Sequence, residues 1–161
     1  KNIAIIDFDV HHGNGTQDIF YNNSKVTYYS THQYPLYPGT GDVNEIGLGN
    51  IVNVPITSGT NSEKYQQIFN ERIIKKLEEQ RPDFVLISAG FDAHTKDPLA
   101  SLDLVENDFR LITSKLREIA NKYCNGKIIS MLEGGYDIKA LENSMIMHLS
   151  ELQKWVKFQR K

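Results

Sequence analysis

Asp7, Asp9 and His11 occupy alternate positions in "DFDVHHGNG", directly behind the apolar run Ile3-Ala4-Ile5-Ile6. In an extended strand, alternate side chains leave from the same face. A carboxylate and an imidazole two residues apart can therefore share one metal ion. A catalytic zinc keeps three protein ligands and one position open to water. The third ligand is available from "SAGFDAHTKDP", as Asp97 or else Asp92. His12 is predicted to face the other way and is a poor ligand for the same ion. Two carboxylates and one imidazole also suit iron(II). The plain alternative is a buried, hydrogen-bonded Asp9–His11 pair. A second constellation is Glu133-Gly134-Gly135-Tyr136. Its glycines let the backbone swing close to a ligand, which makes Gly135 a candidate substrate contact. The Tyr136 phenol can donate a hydrogen bond to a developing oxyanion. Its plain alternative is a tight strand-to-helix turn with Tyr136 as core filler.

These residues are presented by a regular pattern of elements. Five short runs, 3–9, 26–31, 51–55, 83–89 and 127–132, predict buried strands. Three apolar stripes predict helices. The first lies within 62–80, with Ser62 as its cap, and joins Tyr65, Ile68, Phe69, Ile73 and Leu77. The second joins Phe109, Ile112, Leu116, Ile119 and Tyr123 and ends at Asn125-Gly126. The third joins Ile138, Leu141, Met145, Leu149, Leu152 and Val156. From residue 51 onward strands and helices alternate, so the predicted fold is α/β, a mainly parallel sheet between two helix layers. Ligands of such sheets bind outside the carboxyl ends of the strands. Three strands end in titratable or glycine-rich chemistry at that one edge, which makes it the expected site. The long, proline- and glycine-rich segment 32–50 reads as a functional loop.

Bulk properties bound the remaining classes. The 161 residues fit one domain, with 40% hydrophobic and 24% charged residues and a net charge of −2. Such a balance gives no reason to expect a nucleic-acid or membrane partner. The apolar runs are too short to span a bilayer and no signal peptide is evident, so a cytoplasmic location is expected. The single cysteine, Cys124, cannot form an internal disulfide and is read as a small core residue. The chain opens without Met and enters a strand by residue 3, which suggests a cut through a larger domain.

"DFDVHHGNGTQ", "YPGTGD", "SAGFDAHTKDPL" and "LEGGYD" together resemble the histone deacetylase superfamily. The similarity is greatest to its class II and bacterial members, which include acetylpolyamine amidohydrolases and acetoin-utilisation proteins. It implies an arginase/deacetylase-like three-layer fold, with residues 1–161 as the C-terminal portion of a catalytic domain incomplete at its N-terminus. The implied activity is metal-dependent hydrolysis of N-acetylated amines, acetyl-lysine or acetylpolyamine. The resemblance makes Asp9, His11 and Asp97 the zinc ligands and matches neither Asp92 nor His94 to a ligand. Tyr136 becomes the stabiliser of the oxyanion, and Tyr37 an aromatic wall of the acyl channel. Asp7 and Asn14 match the residues that hold the two histidines of the family's acid–base dyad. Asp7, Asp9, His11, Ser30 and Thr31 fall where relatives bind a structural potassium ion. The dyad itself belongs upstream of these residues, so the chain is expected to be inactive alone, with the missing N-terminal half of the domain as its partner. The competing expectation is a non-catalytic fragment or pseudoenzyme that binds a metal or a partner. A binuclear, arginase-type site would need a carboxylate at position 13, which is glycine.

Overall fold

The computed structural model describes residues 1–154. Its five strands are β1 (Ile3–Asp7), β2 (Val26–Gln33), β3 (Ile51–Ile56), β4 (Phe84–Ala89) and β5 (Ile128–Leu132). All pair in parallel, in the order β3-β2-β1-β4-β5. The chain steps outward from β1 to β3, then returns to the other side of β1 for β4 and β5. The strand order thus reverses at β1, and the crevice beyond β1 and β4 is the place where such sheets bind ligands.

Each strand lies within two residues of expectation at either end, and β1 and β2 differ most. β1 stops at Asp7 rather than at residue 9, because side chains take over the backbone partners there. Asp7 Oδ1 accepts from Asp9 N at 3.1 Å and Asp92 Oδ1 from Val10 N at 2.9 Å. β2 runs on to Gln33, whose N–H donates to the Val10 carbonyl.

The main core lies on one face of the sheet. Ala4, Ile6, Val85 and Ile87 meet Phe109, Ile112 and Leu116 of α4 (Glu106–Tyr123). The predicted helix 62–80 is α2 (Ser62–Phe69) and α3 (Lys75–Gln80), joined without a break by a π-helical turn, Asn70–Ile74. Tyr65, Phe69, Ile73 and Leu77 are all buried, so the apolar stripe survives the wider turn. Its cap is Asn61, which accepts from Lys64 N, rather than Ser62, whose hydroxyl bonds Asp108. The last helix, α5 (Ile138–Leu152), packs on α4; Val156 of its predicted stripe lies outside the described residues.

The opposite face is only partly covered. A short helix that the apolar pattern did not signal, α1 (Asn14–Phe20), shields Val26, Tyr28 and Ile51 together with Phe20 and Tyr21. Over β4 and β5 no described helix covers this face, and Ile129 and Met131 are 50% and 49% exposed. The predicted second helix layer is therefore present over half of the sheet among the described residues.

His148 of α5 is a packing residue. It lies edge-on to Phe8 and Phe91, with Nδ1 2.6 Å from the Thr113 hydroxyl and Nε2 2.9 Å from that of Ser130. Burial lowers its pKa to about 4. An unfolded histidine titrates near 6.5, so the unfolded chain takes up a proton that the folded chain refuses. His148 therefore contributes stability that is fully present above about pH 6.5 and is lost as pH falls towards about 4, on the order of 3 kcal/mol. The urea midpoint is expected to fall over this window, and to fall less in His148→Gln; equal falls in both proteins would contradict this.

Candidate metal centre

Asp9, His11 and Asp92 offer ligand atoms that all lie within 4.8 Å of one another. His11 Nδ1 is 3.1 Å from Asp9 Oδ1 and 3.1 Å from Asp92 Oδ2. The alternation expected for Asp9 and His11 is not what joins them, since both lie beyond β1. Asp9 Oδ1 accepts from His11 N at 2.8 Å, which turns the backbone and brings the imidazole over the carboxylate. The other Asp9 oxygen accepts from Gly134 N at 2.7 Å. A side chain on Gly90 or Gly134 would collide with these carboxylates, so both glycines are needed for close approach.

The third carboxylate of this group is that of Asp92, not Asp97. Asp92 is fully buried, and burial followed by the charge of Asp9 raises its carboxyl well above the usual carboxylate range. Asp97 lies on the neighbouring loop, where Oδ2 accepts from Tyr136 N at 2.8 Å and Oδ1 from Leu99 N at 3.0 Å. Among the described residues, no lysine or arginine pairs with Asp9, Asp92 or Asp97. Two carboxylates and an imidazole held this close with no organic cation to offset them are a donor set that fits a divalent metal ion.

The cleft over this group has a volume of about 720 Å³ and is lined by Asp9, His11, Leu36, Tyr37, Leu99 and Tyr136, among others. The rings of Tyr37 and Tyr136 each stand edge-on to His11, with centroids 6.5 Å away. Tyr136 is 53% exposed rather than core filler. Burial, then the charges of Asp92, Asp9 and Asp97, raise its phenol pKa, so the hydroxyl keeps its proton at neutral pH. Gly135 has φ 140°, and a Cβ there would lie 2.9 Å from Leu141, so the turn that presents Tyr136 requires glycine.

The other predicted residues fall around this centre. Asp7 is buried, accepts from the Tyr28 hydroxyl at 2.8 Å, and is raised well above the usual range by burial. Asn14 is exposed at the start of α1. Ser30 is the register partner of Asp7, whereas the Thr31 hydroxyl bonds Tyr65 on the opposite face. His12 stays out of the metal group, as expected; it bonds Thr40 and Gln17 and lies 4.7 Å from the ring of His32. This buried histidine pair had no local sequence signal, because its members come from different elements.

A model of the histone deacetylase domain matches residues 1–152. Histone deacetylase 10, chloroplastic, of Oryza sativa subsp. japonica is 41% identical over 149 residues, 90% of this chain and 34% of that protein. A probable deacetylase of Archaeoglobus fulgidus is 43% identical over 143 residues, 86% of this chain and 40% of that protein. Among solved structures, the HD domain of HDA15 superposes with a TM-score of 0.89 at 38% identity, covering 94% of this chain and 44% of that one. The chain thus spans less than half the length of each of these proteins. No described helix is long and apolar enough to cross a membrane.

Gly134→Ala pushes a methyl against Asp9 and Asp92 and is expected to weaken zinc binding about 10–100-fold, as other supporting changes around metal sites do. Gly15→Ala, which meets open space, serves as the control. Competition titration with a chelating dye reads the difference, and equal affinities in the two variants would contradict the assignment.

Proposed function

The chain belongs to the histone deacetylase domain family, and on that basis we propose a function for its carboxyl-edge cleft. The cleft is part of a metal-dependent site that hydrolyses the amide bond of N-acetylated amines, acetyl-lysine or acetylpolyamines. The observation that carries this is the convergence of Asp9, His11 and Tyr136 on one cleft, from loops that follow different strands. Zinc fits the mixed carboxylate and imidazole set, and iron(II) is the alternative ion.

We assign Asp9, His11 and Asp97 as the ligands, with Asp92 as their support. A catalytic ion keeps a position open to water, which the wholly enclosed Asp92 does not serve. Its raised carboxyl suits a group that holds Val10 and His11 from behind. A bound ion would polarise the amide carbonyl and make water a better nucleophile near neutral pH. Tyr136, still protonated, donates to the oxyanion as the carbonyl carbon becomes tetrahedral. Tyr37, Leu36 and Leu99 give the cleft an apolar wall for an extended acylated chain. The Asp7 carboxylate and the backbone around Asp9, His11, Ser30 and Thr31 are the proposed potassium-binding region, with Asp7 and Asn14 the proposed supports of the acid–base dyad.

Of the five histidines only His11 and His12 are consecutive, and His11 is assigned to the metal. We assign the acid–base pair to the part of the relatives' length that this chain does not span. The open apolar face of β4 and β5 is where that part would pack, since parallel sheets are ordinarily covered on both sides.

Two measurements test the site. After dialysis against zinc, elemental analysis is expected to find the metal in wild type and in Asp92→Asn, and to find it lost in Asp97→Ala. The reverse pattern would make Asp92 the ligand; no zinc in wild type would favour the partner-binding remnant. In the complete active domain, Tyr136→Phe is expected to lower kcat about 10²–10³-fold with metal content unchanged. A loss below about threefold would remove Tyr136 from that role.

A further inference from the structure

Tyr37 is 80% exposed, so burial does not fix its ring beside His11. Its place depends on how the loop 34–41 is anchored at its two feet. The first foot is Tyr34, whose N–H donates to the Ile56 carbonyl at 2.9 Å. Between the feet, one turn bond closes the loop, Gly39 N to Leu36 O at 2.8 Å.

The second foot rests on two buried histidines. Thr40 Oγ1 lies 2.7 Å from His12 Nδ1, and the Gly41 carbonyl lies 3.0 Å from His32 Nε2. Their partners define the protons. Gln17 Oε1 accepts from Asn53 at 2.8 Å, and as an acceptor it takes the His12 Nε2–H at 3.0 Å. His12 Nδ1 then accepts from the Thr40 hydroxyl. His32 donates through Nε2 to the Gly41 carbonyl, so its Nδ1 accepts from the Ser30 hydroxyl at 2.8 Å. Every ring nitrogen of the pair thus has a hydrogen-bond partner. Gly41 has φ 92°, and a side chain there would strike both rings. Glu45 closes the foot by accepting from Gly41 N and Asp42 N.

We propose that His12 and His32 are a positioning pair: they clamp Thr40 and Gly41 and so set the distance between the Tyr37 wall and the metal centre. The consequence for substrate rests on reading Tyr37 as a wall of the acyl channel. His12 follows His11 directly in the chain, so the assigned ligand and the residue that bonds Thr40 are separated by a single peptide unit. The width of the cleft is then set by the two histidines rather than by Tyr37 itself.

Thr40→Val removes the hydroxyl that His12 accepts and keeps the side-chain shape, while Thr40→Ser restores the hydroxyl. In the whole chain loaded with zinc, amide hydrogen exchange over residues 36–41 is expected to quicken about tenfold in Thr40→Val, the worth of one net hydrogen bond. In Thr40→Ser it should stay within about twofold of wild type. A trifluoroacetyl-lysine peptide, followed by fluorine NMR, is expected to bind more weakly to Thr40→Val and to recover in Thr40→Ser, with zinc content constant throughout. Unchanged exchange in Thr40→Val, or a serine variant as fast as the valine one, overturns the clamp. If exchange responds as expected but wild type does not retain zinc or the peptide, the deacetylase reading fails and the clamp stands as a loop anchor.

Discussion

Asp9, Asp92 and Asp97 each accept a backbone N–H from a loop other than their own. Asp9 takes that of Gly134 beyond β5, Asp92 that of Val10 beyond β1, and Asp97 that of Tyr136 beyond β5. Buried carboxylates are costly unless they are hydrogen-bonded or paired, and no lysine or arginine among the described residues pairs with them. Backbone amides therefore supply the compensation, and in doing so they draw the ends of three strands together. The charge that suits a cation is the same charge that ties the loops.

This explains why the site tolerates so little bulk. The carboxylates reach across to neighbouring loops only because Gly90 and Gly134 present bare backbone there. Tyr136 follows at once, so its ring position is inherited from the Gly134–Asp9 and Tyr136–Asp97 bonds rather than from burial. The Tyr37 side of the cleft is held differently, by two imidazoles on Thr40 and Gly41 and by the Glu45 carboxylate on the backbone beside them.

The parallel strands were legible because each is a short apolar run, and their chemistry was legible because it gathers at the carboxyl ends. Asp9 and His11 were found by spacing, although a turn bonded through Asp9 joins them rather than a continued strand. Asp92 was visible as an alternative third carboxylate; its place beside His11 depends on a contact 81 residues away in the chain. α1 escaped notice because its seven residues, NGTQDIF, carry little apolar periodicity and owe their helix to packing over Tyr28 and Ile51. His12 and His32 were likewise unreadable as a pair, since their meeting is a product of strand order.

The bond between Asp9 and Gly134 spans 125 residues. A contact so distant in sequence is closed late, after the entropy of a very long loop has been surrendered, and it forms only once both β1 and β5 are in register. The metal centre is therefore completed only in the folded chain, although Asp9 and His11 are neighbours in sequence, and an ion that prefers the complete set favours the finished sheet. By mass action such an ion stabilises the entire fold rather than one loop. Occupancy of the centre thus doubles as a gauge of global order: thermal stability should rise with the free metal concentration, even in a protein whose catalytic step has been disabled at Tyr136.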